Sequence, residues 1–340
     1  MIPIERLEER QYKGDSQPND DPITKDAYQQ TEPYIAPPNL RDAVNMALYL
    51  RRPLLIEGEP GTGKTRLAYS VATELGYPLK EIYIRSTDQA EDLLYKFDAV
   101  RRLYAIQERA AAAQWIHSLN WKEEGHEGAL PPPEIDNEAY VKLGQLGEAI
   151  ELSQQGTPSV VLIDEIDKAD IDFPNDLLLV LDQLQFTIPE LDQRKYDALN
   201  GQTREERRHH LPLVIITSNR EKELPAPFLR RCLFYFIPFP GKPDLGRILQ
   251  AHFQSEMTPL FTAALNHFWD LRDKVAINWR KAPSTSELLD WVRLLEANHV
   301  DGDELTETPA AELPYLNSLL KTQSDLDALA NYSPLQKEGE

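Results

Sequence analysis

The sequence predicts an α/β fold in which helices cover both faces of a parallel sheet. Short apolar runs alternate with segments of helical periodicity, the pattern of strands joined by helical crossovers. The strand-like runs are residues 54–56, 82–84, 160–163, 213–216 and 233–237. The run at 160–163 is continuous and rich in β-branched residues, which is typical of a strand covered on both faces. Beyond residue 241 the pattern is helical to about residue 297, so a helical unit should follow the sheet.

The boundaries of these patterns divide the chain into four parts. Residues 1–33 form an acidic segment without periodicity, which we expect to be mobile. Residues 34–240 form the α/β domain, with an insertion at about 86–157 and a hydrophilic excursion at about 186–213. Residues 241–297 form the helical domain. Residues 298–340 form an acidic, partly helical tail.

The charge of the chain argues against two classes of partner. Lys and Arg number 36 against 56 Asp and Glu, giving a net charge of −20. More than half of this charge lies in the two ends, with −4 in residues 1–33 and −7 in residues 298–340. Duplex nucleic acid requires clustered cations, and an anionic membrane surface repels acidic chains. We therefore expect neither nucleic acid nor a membrane as a partner.

The cysteine content and the amino end indicate where the protein works. Cys232 is the single cysteine, which excludes an intramolecular disulfide framework and a cysteine-rich zinc site. The first residues lack the basic start and apolar stretch of a signal peptide, and no apolar run reaches the roughly 20 residues of a membrane span. We expect a soluble, cytoplasmic protein.

A glycine-rich loop follows the first predicted strand and precedes a predicted helix. The motif G-x-x-x-x-G-K-T consists of Gly58, Glu59, Pro60, Gly61, Thr62, Gly63, Lys64 and Thr65. Glycines let backbone N–H groups turn toward a phosphate, and the helix dipole attracts the same anion. Lys64 should then reach the β- and γ-phosphates of ATP, and the Thr65 hydroxyl should ligate Mg²⁺.

Polar residues end two further predicted strands. Asp164 and Glu165 follow the run at 160–163, and Asn219 follows the run at 213–216. Because parallel strands present their carboxyl ends to one crevice, these side chains should meet the phosphate loop. We expect Asp164 to hold Mg²⁺, Glu165 to deprotonate the attacking water, and Asn219 to position it.

Two arginines, Arg230 and Arg231, stand directly before the last predicted strand. An arginine at a subunit edge can stabilise charge on the γ-phosphate of a neighbouring subunit, the role called an arginine finger. Arg231 is the preferred candidate for this role. The alternative is a solvated basic turn.

These four elements, in this order and spacing, resemble those of an AAA+ ATPase. Walker A corresponds to residues 58–65, Walker B to 160–165, sensor 1 to Asn219, and the finger to 230–231. Over about residues 34–297 the chain resembles the MoxR family more closely than AAA+ ATPases in general. The similarity rests on Asp-Glu-Ile-Asp-Lys-Ala at 164–169, the helix at 177–185 with Phe-Thr-Ile at 186–188, and Leu-Pro at 224–225 before Phe-Leu-Arg-Arg at 228–231.

The resemblance implies more than the residues show by themselves. It implies a three-layer P-loop sheet of order 5-1-4-3-2 with a helical lid, ATP and Mg²⁺ as cofactors, and a homo-oligomeric, hexameric ring. ATP would bind between subunits, with Arg231 or Arg230 acting in trans. Members remodel or assemble a partner complex, often with a von Willebrand factor A domain protein. The excursion at 186–213 would be a hairpin before sensor 1, with its tip at 204–210.

In one respect the chain departs from the family. The lid usually carries a sensor 2 arginine after its proline, but residues 281–287 read Lys-Ala-Pro-Ser-Thr-Ser-Glu. Lys281 and Arg293 lie near this position, and neither is assigned to the role. The tip at 204–210 is either a gripping element or a solvated loop. Trp115 and Trp121 belong either to the packing of the insertion or to a docking site.

Two other functions remain open. One is a DNA-processing motor of McrB type, although a guanine-specific site favours Asp three residues after the sensor asparagine and this chain has Lys222. The other is a switch that binds ATP and hydrolyses it slowly while partners assemble. DNA-stimulated turnover would identify the motor, and turnover far below about 1 s⁻¹ would identify the switch.

Overall fold

The computed structural model describes residues 11–16, 32–120, 136–273 and 279–331. The strands are β1 (Asp15–Ser16), β2 (Tyr34–Ile35), β3 (Leu54–Gly58), β4 (Leu79–Tyr83), β5 (Tyr95–Phe97), β6 (Val141–Leu143), β7 (Val160–Asp164), β8 (Gln185–Ile188), β9 (Arg194–Asp197), β10 (Leu213–Ser218) and β11 (Leu233–Ile237). The helices are α1 (Pro38–Leu50), α2 (Lys64–Leu75), α3 (Ala99–Asn120), α4 (Gln145–Gln154), α5 (Phe173–Gln183), α6 (Ala226–Arg231), α7 (Lys242–Phe253), α8 (Pro259–Asp273), α9 (Thr285–Ala297), α10 (Gly302–Glu307), α11 (Leu316–Leu319) and α12 (Gln323–Ala330).

Five parallel strands form the central sheet in the order β11-β3-β10-β7-β4. The prediction of a parallel α/β sheet is confirmed. The register aligns the carboxyl ends of the three middle strands, with Ser218 beside Glu57 and Ile216 beside Ile163. The second predicted strand, residues 82–84, corresponds to β4, which spans Leu79–Tyr83 instead. This strand lies at an edge of the sheet. Residues that follow β3, β7 and β10 therefore share one crevice.

Apolar side chains alternate between the two faces of the sheet. Leu54, Ile56, Leu162 and Ile215 face a core shared with α1 and α2. Their neighbours in the strands, such as Ile163, face a second core with α4 and α5. Full burial of such a side chain contributes about 1.5–3 kcal/mol, so both helical layers hold the sheet firmly.

The amino end is packed against the body of the protein where the structure describes it. Tyr12 is 1% exposed, and its hydroxyl lies 2.9 Å from Ser70 Oγ on α2. The Asn45 side chain accepts from the Tyr12 N–H and donates to its carbonyl, at 2.9 and 3.0 Å. The prediction that residues 1–33 are mobile is therefore wrong for residues 11–16. The buried Tyr12 and these three hydrogen bonds anchor them. Residues 1–10 and 17–31 lie outside the described residues.

The insertion is shorter than the sequence suggested. β5 pairs antiparallel with β6, and α3 leaves this ribbon with Trp115 66% exposed. In contrast, α4 packs against β4 and β7, so residues 145–154 belong to the cover of the sheet and not to the insertion. Trp121 and the prolines at 131–133 lie outside the described residues.

The excursion before β10 is a hairpin, but its tip is not where the sequence placed it. β8 and β9 pair antiparallel, and the chain reverses at residues 189–193. The segment 204–210 instead packs on the body. Arg207 is 9% exposed and donates to the Ala198 carbonyl, and Arg204 donates to the Leu181 carbonyl at 2.9 Å. A guanidinium group can be buried only where acceptors satisfy its N–H groups. These carbonyls supply such acceptors, so the charged segment can pack on the body.

The carboxyl-terminal part is one helical unit built from α7 to α12. Its core joins α7, α8 and α9 to leucines of the predicted tail, and Trp291 is fully buried within it. The tail leucines in this core are Leu305, Leu313, Leu319, Leu320 and Leu329. The predicted boundary at 297 is therefore wrong for residues 298–331, and 332–340 lie outside the described residues. No helix in the described ranges is long and apolar enough to cross a membrane.

Two buried carboxylates stabilise the loop that precedes α9 in this helical unit. Glu287 completes a capping box with Ser284 at the start of α9. Burial raises the pKa of Glu287, but hydrogen bonds from Ser284 and Lys281 outweigh it and hold this pKa below its usual value. Asp325 is 1% exposed and accepts from the Arg280 N–H at 2.8 Å. These bonds fix the loop 279–284, which faces the phosphate loop.

Candidate functional site

The glycine-rich loop connects β3 to α2 in a conformation that depends on its glycines. Gly61 and Gly63 have φ of +75° and +88°, in the left-handed region that favours glycine. A Cβ on Gly61 would also lie 2.4 Å from Ser284 Cβ of the helical unit. The loop ends at Lys64, the first residue of α2. Its N–H groups and the positive end of α2 form the environment in which a phosphate binds.

Lys64 lies inside this loop with its charge enclosed. The residue is 7% exposed, and Nζ donates to the carbonyls of Gly58 and Glu59, both at 2.9 Å. Burial lowers the pKa of Lys64, while the charges of Asp164 and nearby carboxylates oppose the shift. An anion entering the loop would be bonded by an ammonium group that is already oriented.

Asp164 ends β7 beside the start of α2. Its Oδ1 accepts from Thr65 Oγ1 at 3.0 Å and from Thr217 Oγ1 at 2.5 Å. Carboxylate and hydroxyl oxygens are the hard ligands that Mg²⁺ prefers, so this pair fits the ion. The sequence analysis did not single out Thr217, which is 1% exposed; its place before Ser218 and Asn219 at a strand end was the available signal.

Glu165 and Asn219 are in contact, as their positions at neighbouring strand ends suggested. Asn219 Nδ2 donates to Glu165 Oε1 at 3.1 Å, and Lys168 forms an ion pair with Oε2. This pairing raises the pKa of Lys168. Glu165 has φ of +57°, which is strained for a residue with a side chain. The Thr217 hydroxyl accepts from the Glu165 N–H at 2.9 Å and supports this conformation.

A cavity of about 620 Å³ adjoins the loop, between the amino-terminal strands and the helical unit. Its wall is largely apolar, with Tyr34, Ile237, Phe239 and Leu289 among the lining residues. Polar groups, including His252, stand at intervals around it. Burial lowers the pKa of His252, which keeps it neutral at lower pH than usual. A cavity that combines apolar walls with polar and charged side chains, beside a phosphate loop, suits a nucleotide.

The helical unit reaches the loop through an arginine that the sequence analysis missed. Arg272, on α8, forms an ion pair with Glu59 of the loop. Its guanidinium also donates to the Pro283 carbonyl at 2.6 Å and lies 3.3 Å from the centre of the Phe239 ring. Lys281 pairs instead with Glu287 at 3.1 Å. Arg272 lies nine residues before Lys281 and 213 residues after Glu59, so motif spacing gave no signal for it.

Arg230 and Arg231 do not join this cluster. They end α6, and Leu233 of the following strand pairs with Leu54, whereas the phosphate loop starts at Gly58, the last residue of β3. Four residues of strand separate these levels by roughly 13 Å. Arg231 instead pairs with Asp182 at 2.8 Å, and both side chains are half exposed. Within one chain the two arginines therefore lie at the opposite end of the strands from the loop.

Cys232 follows the two arginines and is 7% exposed. Burial raises the pKa of its thiol to about 12, so it stays protonated and unreactive. Arg52 holds this turn by donating to the Arg230 and Arg231 carbonyls, at 2.7 and 3.1 Å. The turn is thus fixed through its backbone, which leaves the two arginine side chains at the surface.

One comparison with known proteins bears on this site. The model for AAA domains of the dynein-related subfamily matches residues 53–232, more than half of the chain. The matched region begins just before β3 and ends after Arg231, so it contains the phosphate loop, Asp164, Glu165 and Asn219. No curated protein matches the chain. The chain belongs to the AAA domain family, in its dynein-related subfamily, and is an AAA+ ATPase.

Proposed function

We propose that this chain is an ATP-hydrolysing ring ATPase of MoxR type that remodels or assembles a partner protein complex. The observation that carries the proposal is the contact between Glu165 and Asn219 at the mouth of the phosphate loop. A carboxylate and an amide so placed suit the activation of water rather than transfer to another acceptor. The family match supports ATP as the nucleotide in a general way.

The residues of this chain divide the work of hydrolysis. Lys64 and the loop N–H groups bind the phosphates and orient the terminal one. Thr65 and Asp164 would hold Mg²⁺, which neutralises phosphate charge when it is bound. Glu165 accepts a proton from the attacking water, and Asn219 holds that water in line. Lys168 must release one oxygen of Glu165, or share it, when the water arrives.

The position of the arginines supports a ring. Because Arg231 lies at the opposite end of the strands from its own loop, it can serve only the loop of another copy. A head-to-tail contact of this kind repeats around a closed ring. We propose a hexamer in which Arg231, or Arg230, completes the site of the neighbouring subunit.

The remodelling role rests on the MoxR resemblance. The helical unit acts as a lid in this proposal, with Arg272 joining it to the phosphate loop. A nucleotide in the loop would compete with Glu59 for this arginine and so report its presence to the lid. The partner would be a client protein, for which a von Willebrand factor A domain protein is the first candidate. We place the protein in the cytoplasm, where a single buried thiol stays reduced.

Steady-state ATP hydrolysis across a range of protein concentrations tests the proposal. We expect the rate per subunit to rise as rings form, and Glu165→Gln to lower it by about 10²–10⁴-fold while ATP still binds. Asp170→Gln, which alters an exposed carboxylate of the next turn, is the matched control. A rate per subunit that is independent of concentration would contradict the ring.

The same assay separates the other two functions. Turnover stimulated by DNA at low salt would identify a DNA-processing motor and contradict the proposal. Turnover far below about 1 s⁻¹ in stable rings would identify a slow switch. GTP should not replace ATP, since the position three residues after Asn219, where a guanine-specific site favours Asp, holds Lys222, which donates to the Ala169 carbonyl at 2.8 Å.

A further inference from the structure

Asp167 is a buried carboxylate to which neither the motifs nor the mechanism above gives a role. It lies in the short 3₁₀ turn Ile166–Lys168, two residues after Glu165, and is 2% exposed. Burying a carboxylate is costly unless strong donors satisfy it. The groups that bond to Asp167 therefore indicate what it does.

Both hydrogen bonds to Asp167 come from the turn that carries Asn219. The N–H groups of Asn219 and Glu221 donate to Asp167 Oδ2, at 3.0 and 2.8 Å. No donor within the described ranges bonds to its other oxygen, Oδ1. One carboxylate oxygen thus serves two backbone groups of a single turn.

The residue between these two donors is strained. Arg220 has φ of +62°, in the left-handed region, although it carries a full side chain. A left-handed residue turns the neighbouring N–H groups toward one side, where they form a concave site for an anion. The Asp167 carboxylate occupies this site. It therefore stabilises a backbone conformation that the turn would not keep by itself.

The same two turns are joined at other points as well. Lys222 donates to the Ala169 carbonyl at 2.8 Å, and the Asn219 side chain donates to Glu165. Asn219 is thus held by its backbone to Asp167 and by its amide to Glu165. The relative position of the water-orienting amide and the general base depends on both bonds.

We propose that Asp167 is a positioning residue for hydrolysis, which holds the turn 219–221 so that Asn219 faces Glu165. The proposal rests on the function proposed above. Its hydrogen bonds within the described residues go to the turn that carries Asn219, so in this proposal it acts through Asn219. Without the Oδ2 acceptor, Arg220 relaxes toward an unstrained conformation and carries the Asn219 amide with it. Displacements of about 1 Å in such a group lower turnover by about 100-fold.

A cycle of variants tests this role. We expect Asp167→Ala to lower kcat by about 100-fold while the Kd of ATP stays within about threefold, because the phosphate loop is intact. Asp167→Asn keeps an oxygen that both N–H groups can reach, so we expect a loss below about tenfold. In an Asn219→Ala background, Asp167→Ala should cause little further loss of kcat. Asp170→Ala, in an exposed position of the same loop, should change nothing.

Three results would overturn the role. They are an unchanged kcat in Asp167→Ala, an equal loss in Asp167→Asn and Asp167→Ala, and a full additional loss when Asn219 is already alanine. If Asp167→Ala does not fold, Asp167→Glu replaces it, because it keeps the charge but displaces the oxygen; an unchanged kcat would again overturn the role. Absence of hydrolysis in the unmodified protein would instead contradict the proposed function itself.

Discussion

The functional side chains at the two ends of the central strands differ in how many partners they have within a single chain. At the carboxyl end, Lys64 bonds to carbonyls of its own loop, Asp164 accepts from the Thr65 and Thr217 hydroxyls, and Asn219 donates to Glu165. At the amino end of β11, Arg231 is half exposed and is held only by Asp182 among the described carboxylates. The side chains at the carboxyl end are therefore preorganised, whereas the Arg231 guanidinium remains accessible to another molecule.

This difference teaches which properties belong to the subunit and which belong to an assembly. Nucleotide binding depends on the carboxyl end, so it should be independent of protein concentration. If Arg231 completes the site of a neighbouring copy, as we propose, turnover should also require contact between copies. The three tests below act on the two ends separately.

The largest effect on turnover should come from Arg231, at the amino end of β11. We expect Arg231→Ala to lower turnover by about 10³-fold or more, the usual effect of a lost arginine finger. Its melting temperature should barely change, because an exposed ion pair contributes at most about 1 kcal/mol. Asp182→Ala, which removes the partner and keeps the arginine, should retain turnover.

Mixing the two inactive variants sharpens this test. An Arg231→Ala subunit still carries Glu165, and a Glu165→Gln subunit still carries Arg231. Mixed rings should therefore regain part of the activity through sites that combine both. Recovery would be absent if Arg231 acted within its own chain.

The second effect concerns ATP binding at the carboxyl end of the strands and how its affinity depends on pH. Lys64→Met should weaken ATP binding by about 10- to 100-fold, because charge-assisted hydrogen bonds contribute about 1.5–3 kcal/mol. Burial lowers the pKa of Lys64, so it loses its proton at a lower pH than an exposed lysine. Phosphate binds the protonated form, and affinity should therefore fall as the pH rises toward this lowered pKa.

Calorimetry in buffers of different ionisation enthalpy measures the proton taken up when ATP binds. The uptake should grow with pH in the unmodified protein and be absent in Lys64→Met. A pH-independent affinity up to the ordinary lysine range would show that Lys64 is not the group that titrates.

The smallest effect concerns the bond between the two units. Glu59→Gln and Arg272→Gln should each speed nucleotide dissociation by up to about fivefold, since the Glu59 carboxylate is largely exposed and its ion pair is screened. The double variant should be no faster than either single one, because both remove the same pair. Lys281→Gln, which removes a cation paired with Glu287, is the control. Additive effects of Glu59 and Arg272 would contradict a direct link.

The parallel sheet and the grouping of its strand ends followed from local patterns in the sequence. Continuous apolar runs identify buried strands, and parallel strands bring Asp164, Glu165 and Asn219 to one edge. The G-x-x-x-x-G-K-T spacing identifies the loop because each position has a backbone or side-chain task. Each of these features follows either from a motif of about ten residues or from the general rules of sheet topology.

The remaining features depend on contacts between distant segments. Arg272 meets Glu59 across more than 200 residues, and no spacing rule connects them. The leucines after residue 298 are sparse among acidic residues, so composition suggested a tail although they complete the core of the helical unit. The charged residues of segment 204–210 predict an exposed tip, and they pack on the body only because distant elements supply carbonyls to Arg204 and Arg207.

Tyr12 has a practical consequence for anyone who shortens this chain. Composition suggests a start at residue 34, but a fragment beginning there would remove the ring that fills the space between α1 and α2. Asn45 and Ser70 would lose their Tyr12 partners, and β2 would lose its neighbour β1. Since Tyr34 of β2 lies against Gly63, trimming the amino end would also loosen the wall of the nucleotide cavity. Fragments for expression should begin upstream of residue 11.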